Sequence, residues 1–141
     1  MIRHAEAQWN GSLKEGSGHV KTETGVLDTA YSFKSRFEGG KETNPEELLG
    51  ASHAGCFTMA LAARLTVAGH PPKSIATKAA VNFNNVDGGW AITKIELDTV
   101  AEVPGIDAPE FQTLAEDAKA NCPISKALAS VEIHLKATLT T

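Results

Sequence analysis

Residues 44–72 read N-P-E-E-L-L-G-A-S-H-A-G-C-F-T-M-A-L-A-A-R-L-T-V-A-G-H-P-P. Asn44 is a good N-cap, Pro45 suits the first helical position, and Glu46 and Glu47 put two carboxylates where the helix dipole favours them. The helix so begun is predicted to run to about Ala68, where Gly69-His70-Pro71-Pro72 stops it. Between Glu47 and Arg64 it carries no charge, and Leu48, Leu49, Phe57, Met59, Leu61 and Leu65 point in many directions. A helix that is apolar on nearly every side has to be enclosed. It is therefore the centre of the fold, and a small monomer has difficulty covering it alone.

Upstream, Ala5 to Phe37 is β-like, with Asn10-Gly11, Gly16-Ser17-Gly18 and Thr24-Gly25 separating short segments that include Y-S-F-K-S-R-F. Two or three antiparallel strands fit that punctuation. Downstream, I-A-T-K-A-A-V-N-F, a turn at V-D-G-G and W-A-I-T-K-I-E-L-D-T-V-A-E-V predict a hairpin. The apolar phase slips between Ile92 and Ile95, which predicts a β-bulge near Thr93 or Lys94. Asp107 and Glu110 stand in capping-box positions before a helix ending near Asn121, and Cys122-Pro123 restarts a short one. V-E-I-H-L-K-A-T-L closes the chain as a strand with Val131, Ile133, Leu135, Ala137 and Leu139 inward. Strands, a long helix, strands, two helices and a strand make an α+β fold, read as a single domain over residues 1–141.

The chain has 141 residues, 42% of them apolar, which is enough for a real core. Thirteen Lys and Arg against 17 Asp and Glu, a formal charge of −4 with no basic run, argue against nucleic acid. The N-terminal M-I-R-H-A-E-A-Q-W has no apolar core or cleavage site of a secretory signal. The longest uncharged stretch, Leu48 to Ala63, is too short and too polar to span a bilayer. A soluble cytoplasmic protein without a membrane partner is the expectation.

In that compartment two cysteines are less expected to form a permanent disulfide than to be free, metal-binding or catalytic thiols. Cys56 lies in mid-helix, where cysteines are usually inert core residues. Cys122, just before a proline that begins a helix, occupies an N-cap where free N–H groups favour a thiolate. His53 and Cys56 share a helix face at i and i+3 and Cys122 could add a third metal ligand, but no second C-x-x-C or H-x-x-x-H supplies the rest, and Asp or Glu would have to complete the site. The other histidines, His4, His19, His70 and His134, are scattered. There is no nucleophile elbow, phosphate loop or paired-carboxylate motif, and no metal or organic cofactor is expected.

Three segments taken together, R-F-E-G-G-K-E-T-N-P-E-E-L-L-G-A-S-H-A-G-C-F, V-P-G-I-D and A-K-A-N-C-P-I-S-K-A-L, resemble the OsmC/Ohr family of osmotically inducible and organic hydroperoxide resistance proteins. E-G-G-K-E-T and V-P-G-I-D are similar to the OsmC branch. The resemblance implies antiparallel sheets packed around a long buried central helix in an interlocked homodimer. It also implies a cysteine peroxidase that reduces organic hydroperoxides, and hydrogen peroxide more weakly, in stress defence. It assigns a peroxidatic role to Cys56, a resolving role to Cys122, an arginine at Arg36 and a carboxylate at Glu46. The implied reductant is an external dithiol, a lipoylated protein.

On thiol chemistry, a guanidinium near Cys56 would lower its pKa, and a carboxylate would fix the guanidinium. Glu46 and Cys56 are ten positions apart, about 15 Å along a straight helix. Either the helix breaks near Gly50 or Gly55, or Glu46 serves the cysteine of a second subunit. The competing function is a non-enzymatic redox sensor or thiol-dependent binding protein using the same cysteines.

Overall fold

The computed structural model describes residues 1–140, in two compact units that meet in sequence between Leu48 and Leu49. The first unit holds a three-stranded antiparallel sheet of β1 (Ala5–Asn10), β2 (Ser17–Thr22) and β3 (Asp28–Tyr31), in that spatial order. Thr24-Gly25 falls between β2 and β3 and Asn10-Gly11 ends β1, whereas Ser17 and Gly18, read as punctuation, lie within β2. The segment after β3 does not extend the sheet. It forms a short helix, α1 (Phe33–Phe37), because Ser32 and Ser35 close a reciprocal capping box that alternating Phe33, Ser35 and Phe37 conceal in the sequence.

The second long element is α2 (Pro45–Val67), one continuous α-helix. At its start the Glu47 N–H donates to Asn44 Oδ1 at 2.8 Å. At its end Gly69 takes φ +86°, letting the Gly69 N–H reach the Thr66 carbonyl and the His70 N–H the Leu65 carbonyl. That pair of bonds is the Schellman arrangement, and the left-handed residue it needs is glycine at little cost.

In the second unit β4 (Ser74–Val86), β5 (Gly89–Glu102) and β6 (Glu132–Thr140) form a second sheet, joined to α3 (Ala108–Asn121) and α4 (Pro123–Ala127). β4 and β5 are an antiparallel hairpin turning at Asp87-Gly88, both at positive φ. The register shifts after Asn82, which pairs with Lys94 while Phe83 pairs with Ile92, so Thr93 is the bulged residue. β6 runs parallel to β5. This sheet is thus mixed rather than antiparallel, since α3 and α4 carry the chain back to the end from which β5 started.

Phe57, Leu61 and Leu65, one face of α2, are fully buried against Ile95, Leu97, Ala101, Phe111, Ala115 and Ala118. Each large side chain removed from water in this way stabilises the fold by about 1.5–3 kcal/mol. Gly50 lets α2 approach β4 closely, for a Cβ there would stand 3.3 Å from Val81 Cγ2. Ala51, Ser52, Gly55, Met59 and Ala63 of the same helix are exposed in the single chain. The chain alone covers one face of α2, not the whole helix.

Candidate active site

Each unit contributes one pair of the residues singled out in the sequence. In the first, α1 ends with Arg36 and α2 begins with Glu46. Arg36 Nη2 donates to Glu46 Oε1 at 2.8 Å, and its Nε donates to the same carboxylate at 3.2 and 3.4 Å. Glu46 is buried, while the Arg36 side chain keeps 37% exposure. A buried carboxylate held by two guanidinium nitrogens fixes the plane of the arginine. Arg36 also borders a cavity of about 270 Å³ with Trp9, Leu13, Tyr31, Phe33 and Phe37.

In the second unit the two cysteines meet, although 66 positions separate them in sequence. Both are free thiols; Cys56 is half-buried and Cys122 is fully buried. Cys122 caps the end of α3 and the start of α4 together, with backbone angles of φ −61° and ψ 134°. Its Sγ accepts from the Ser125 N–H at 3.4 Å and from the Ser125 hydroxyl at 3.5 Å. Cys56 lies near enough to this sulfur for the two thiols to influence each other's ionisation.

These contacts divide the pair electrically. Burial pushes the Cys56 thiol up; the Ile124 N–H opposes this, and donation to Cys122 together with the like charge there adds to it. Burial acts on Cys122 too, but the Ser125 hydroxyl and N–H, the Cys56 thiol and the Ile124 N–H outweigh it and bring Cys122 below its ordinary range. Within the chain the donors around Cys122 therefore favour its anionic form, while burial opposes that of Cys56. Cys122 is the N-cap of α4, as its place before Pro123 suggests, and its sulfur is met there by the Ser125 donors.

His53 completes the group. It is fully buried, and its Nε2 lies 2.8 Å from Ser125 Oγ. Burial holds its pKa below the ordinary value, so it is neutral near pH 7. Ser125 has no motif of its own, and only its place three residues after Cys122, the N3 position of α4, marks it in the sequence. Among the described residues no cluster of His, Cys, Asp and Glu could hold a metal ion, and no helix is long and apolar enough to cross a membrane.

Residues 38–136 match the family model described as OsmC-like protein. Peroxiredoxin OsmC of Escherichia coli (strain K12) is 52% identical over 127 residues, 89% of each chain. The chain belongs to the OsmC family. The organic hydroperoxide resistance protein of Xanthomonas axonopodis pv. citri (strain 306) is a more distant relative, 38% identical over 93 residues, covering 63% of this chain and 61% of its own. Among solved structures, an organic hydroperoxide resistance protein from Elizabethkingia anophelis superposes with a TM-score of 0.72 at 28% identity. It covers 100% of this chain and 98% of its own.

Proposed function

We propose that this OsmC-family chain is a cysteine peroxidase that reduces organic hydroperoxides, with Cys56 as the attacking sulfur and Cys122 as the resolving one. One observation carries the reading: two free thiols lie near enough to act on each other's ionisation, and of the two Cys56 is the one with exposed surface. The names of the relatives, peroxiredoxin and organic hydroperoxide resistance protein, support the reaction class.

Cys56 thiolate attacks the O–O bond and becomes a sulfenic acid while the alcohol leaves. Cys122, already behind it, displaces hydroxide to close a disulfide, which an external dithiol such as a lipoylated protein reduces. Because burial and Cys122 hold the Cys56 proton on, the reaction needs a cation at Cys56. Arg36, oriented by Glu46, is our candidate, and the apolar side chains around it favour an alkyl hydroperoxide over hydrogen peroxide.

α2 is unbroken at Gly50 and Gly55, which supports the two-subunit reading of Glu46. We assign the exposed Ser52, Gly55, Met59 and Ala63 face to a homodimer that closes over the helix, with Arg36 and Glu46 of one subunit serving Cys56 of the other. The working place of such an enzyme is the cytoplasm, where dithiol reductants are supplied.

A steady-state assay with cumene hydroperoxide and a small dithiol tests the function. Many turnovers per chain are expected. A single stoichiometric oxidation with no turnover would favour the redox sensor, and no oxidation would exclude both.

A further inference from the structure

α2 carries one buried imidazole that the peroxidase chemistry above does not use. His53 Nε2 is 2.8 Å from Ser125 Oγ, and that hydroxyl is 3.5 Å from Cys122 Sγ. All three residues are buried. A serine hydroxyl has one proton to give, so its direction is decided by its neighbours. If Ser125 gave it to His53, the ring would be protonated at Nδ1, which has no partner among the described residues. A buried N–H without an acceptor is rarer and costlier than a buried lone pair without a donor. The favoured arrangement has the His53 Nε2–H donating to Ser125 Oγ and the Ser125 O–H donating to Cys122.

We propose that His53 and Ser125 form a hydrogen-bond chain that holds Cys122 as the anionic sulfur, His53 as a positioning residue and Ser125 as a catalytic donor to the reacting sulfur. The titratable groups acting on Cys122 are Cys56 directly and His53 through Ser125, both on α2. The groups that lower Cys122 are the Ser125 hydroxyl and N–H, the Cys56 thiol and the Ile124 N–H.

The role rests on reading Cys122 as the resolving sulfur. In that step the Cys122 thiolate attacks the sulfenic sulfur of Cys56; the S–S bond forms, the S–O bond breaks, and hydroxide leaves as water with a proton from solvent. The oxidising equivalents come from the hydroperoxide already consumed. Only the thiolate attacks, so the chain controls how fast the sulfenic acid is resolved before a second peroxide over-oxidises it.

In the full chain carrying Cys56→Ser, Cys122 is the one remaining thiol, and its ultraviolet thiolate absorbance against pH reads its ionisation with no peroxide present. Adding Ser125→Ala or His53→Met is expected to raise the midpoint by about one pH unit. The two together should raise it no further than Ser125→Ala alone. His53→Gln, which can return an amide N–H to Ser125, should stay close to the parent. With Cys56 intact, Ser125→Ala and His53→Met should slow conversion of sulfenic acid to disulfide about tenfold at neutral pH, read by dimedone trapping.

An unmoved midpoint in Ser125→Ala overturns the proposal even if His53→Met does not fold. A His53→Gln midpoint raised as far as that of His53→Met overturns the positioning role of His53. Midpoints that move as expected, when the chain with both cysteines intact consumes no hydroperoxide, support the hydrogen-bond chain and instead overturn the peroxidase reading.

Discussion

Glu46 takes two nitrogens of Arg36 on one carboxylate, Nη2 at 2.8 Å and Nε at 3.2 Å. This pair orders the end of α1 against the start of α2 and presents a cation whose plane is fixed. In the proposed reaction that cation offsets the burial and the neighbouring sulfur that keep Cys56 protonated.

Arg36→Ala is therefore expected to raise the Cys56 titration midpoint and slow its reaction with hydroperoxide by at least about tenfold. Glu46→Ala should have a smaller effect in the same direction, because the guanidinium remains but is no longer held. Thiol alkylation against pH measures both. An unchanged midpoint in Arg36→Ala removes the arginine from the mechanism.

Phe57 directly follows Cys56 and is fully buried. Phe57→Ala should destabilise the chain by about 3–5 kcal/mol in urea unfolding. Met59→Ala, on the exposed face of α2, should change monomer stability little and weaken self-association instead. Sedimentation of the two variants separates the effects.

His53 makes stability depend on pH. Its folded pKa lies below the unfolded value, so between the two the unfolded chain binds more protons. The contribution of the neutral ring is full above about pH 6.5 and is lost as pH falls from there through the folded pKa. Denaturant midpoints at neutral pH and near pH 5 should differ less in His53→Gln than in the parent. An equal difference would show that another group carries the dependence.

Much of this was legible before any coordinates. Asn44-Pro45-Glu46-Glu47 and Gly69-His70-Pro71-Pro72 mark the two ends of α2, and the slip between Ile92 and Ile95 locates the bulge at Thr93. The helix at Phe33–Phe37 was hidden because its Phe33 and Phe37 also satisfy strand alternation, and the Ser32–Ser35 box is too short a signal to override that. The parallel direction of β6 follows from α3 and α4, whose combined path no local pattern encodes. The cysteines and Arg36–Glu46 were legible through their motifs. Ser125 was not, because its importance lies in a contact with His53 from 72 positions away in sequence.

The continuity of α2 across Gly50 and Gly55 supports a site shared between subunits. Mixing inactive Cys56→Ser and Glu46→Ala chains under conditions of exchange should recover activity, because each mixed dimer would contain one doubly damaged site and one intact site. No recovery, with exchange confirmed, would mean that Glu46 serves its own chain or none.

The central claim is that Cys56 attacks and Cys122 resolves, although burial raises the Cys56 thiol and the Ser125 donors lower Cys122. Single-turnover reaction of the reduced chain with one equivalent of cumene hydroperoxide, followed by mass spectrometry, tests it most directly. The account predicts one equivalent of alcohol and a Cys56–Cys122 disulfide in the parent. It predicts a sulfenic acid on Cys56 with further oxidation in Cys122→Ser, and no peroxide consumption in Cys56→Ser. Oxidation of Cys122 in Cys56→Ser, with Cys122→Ser inert, would reverse the roles and contradict the account.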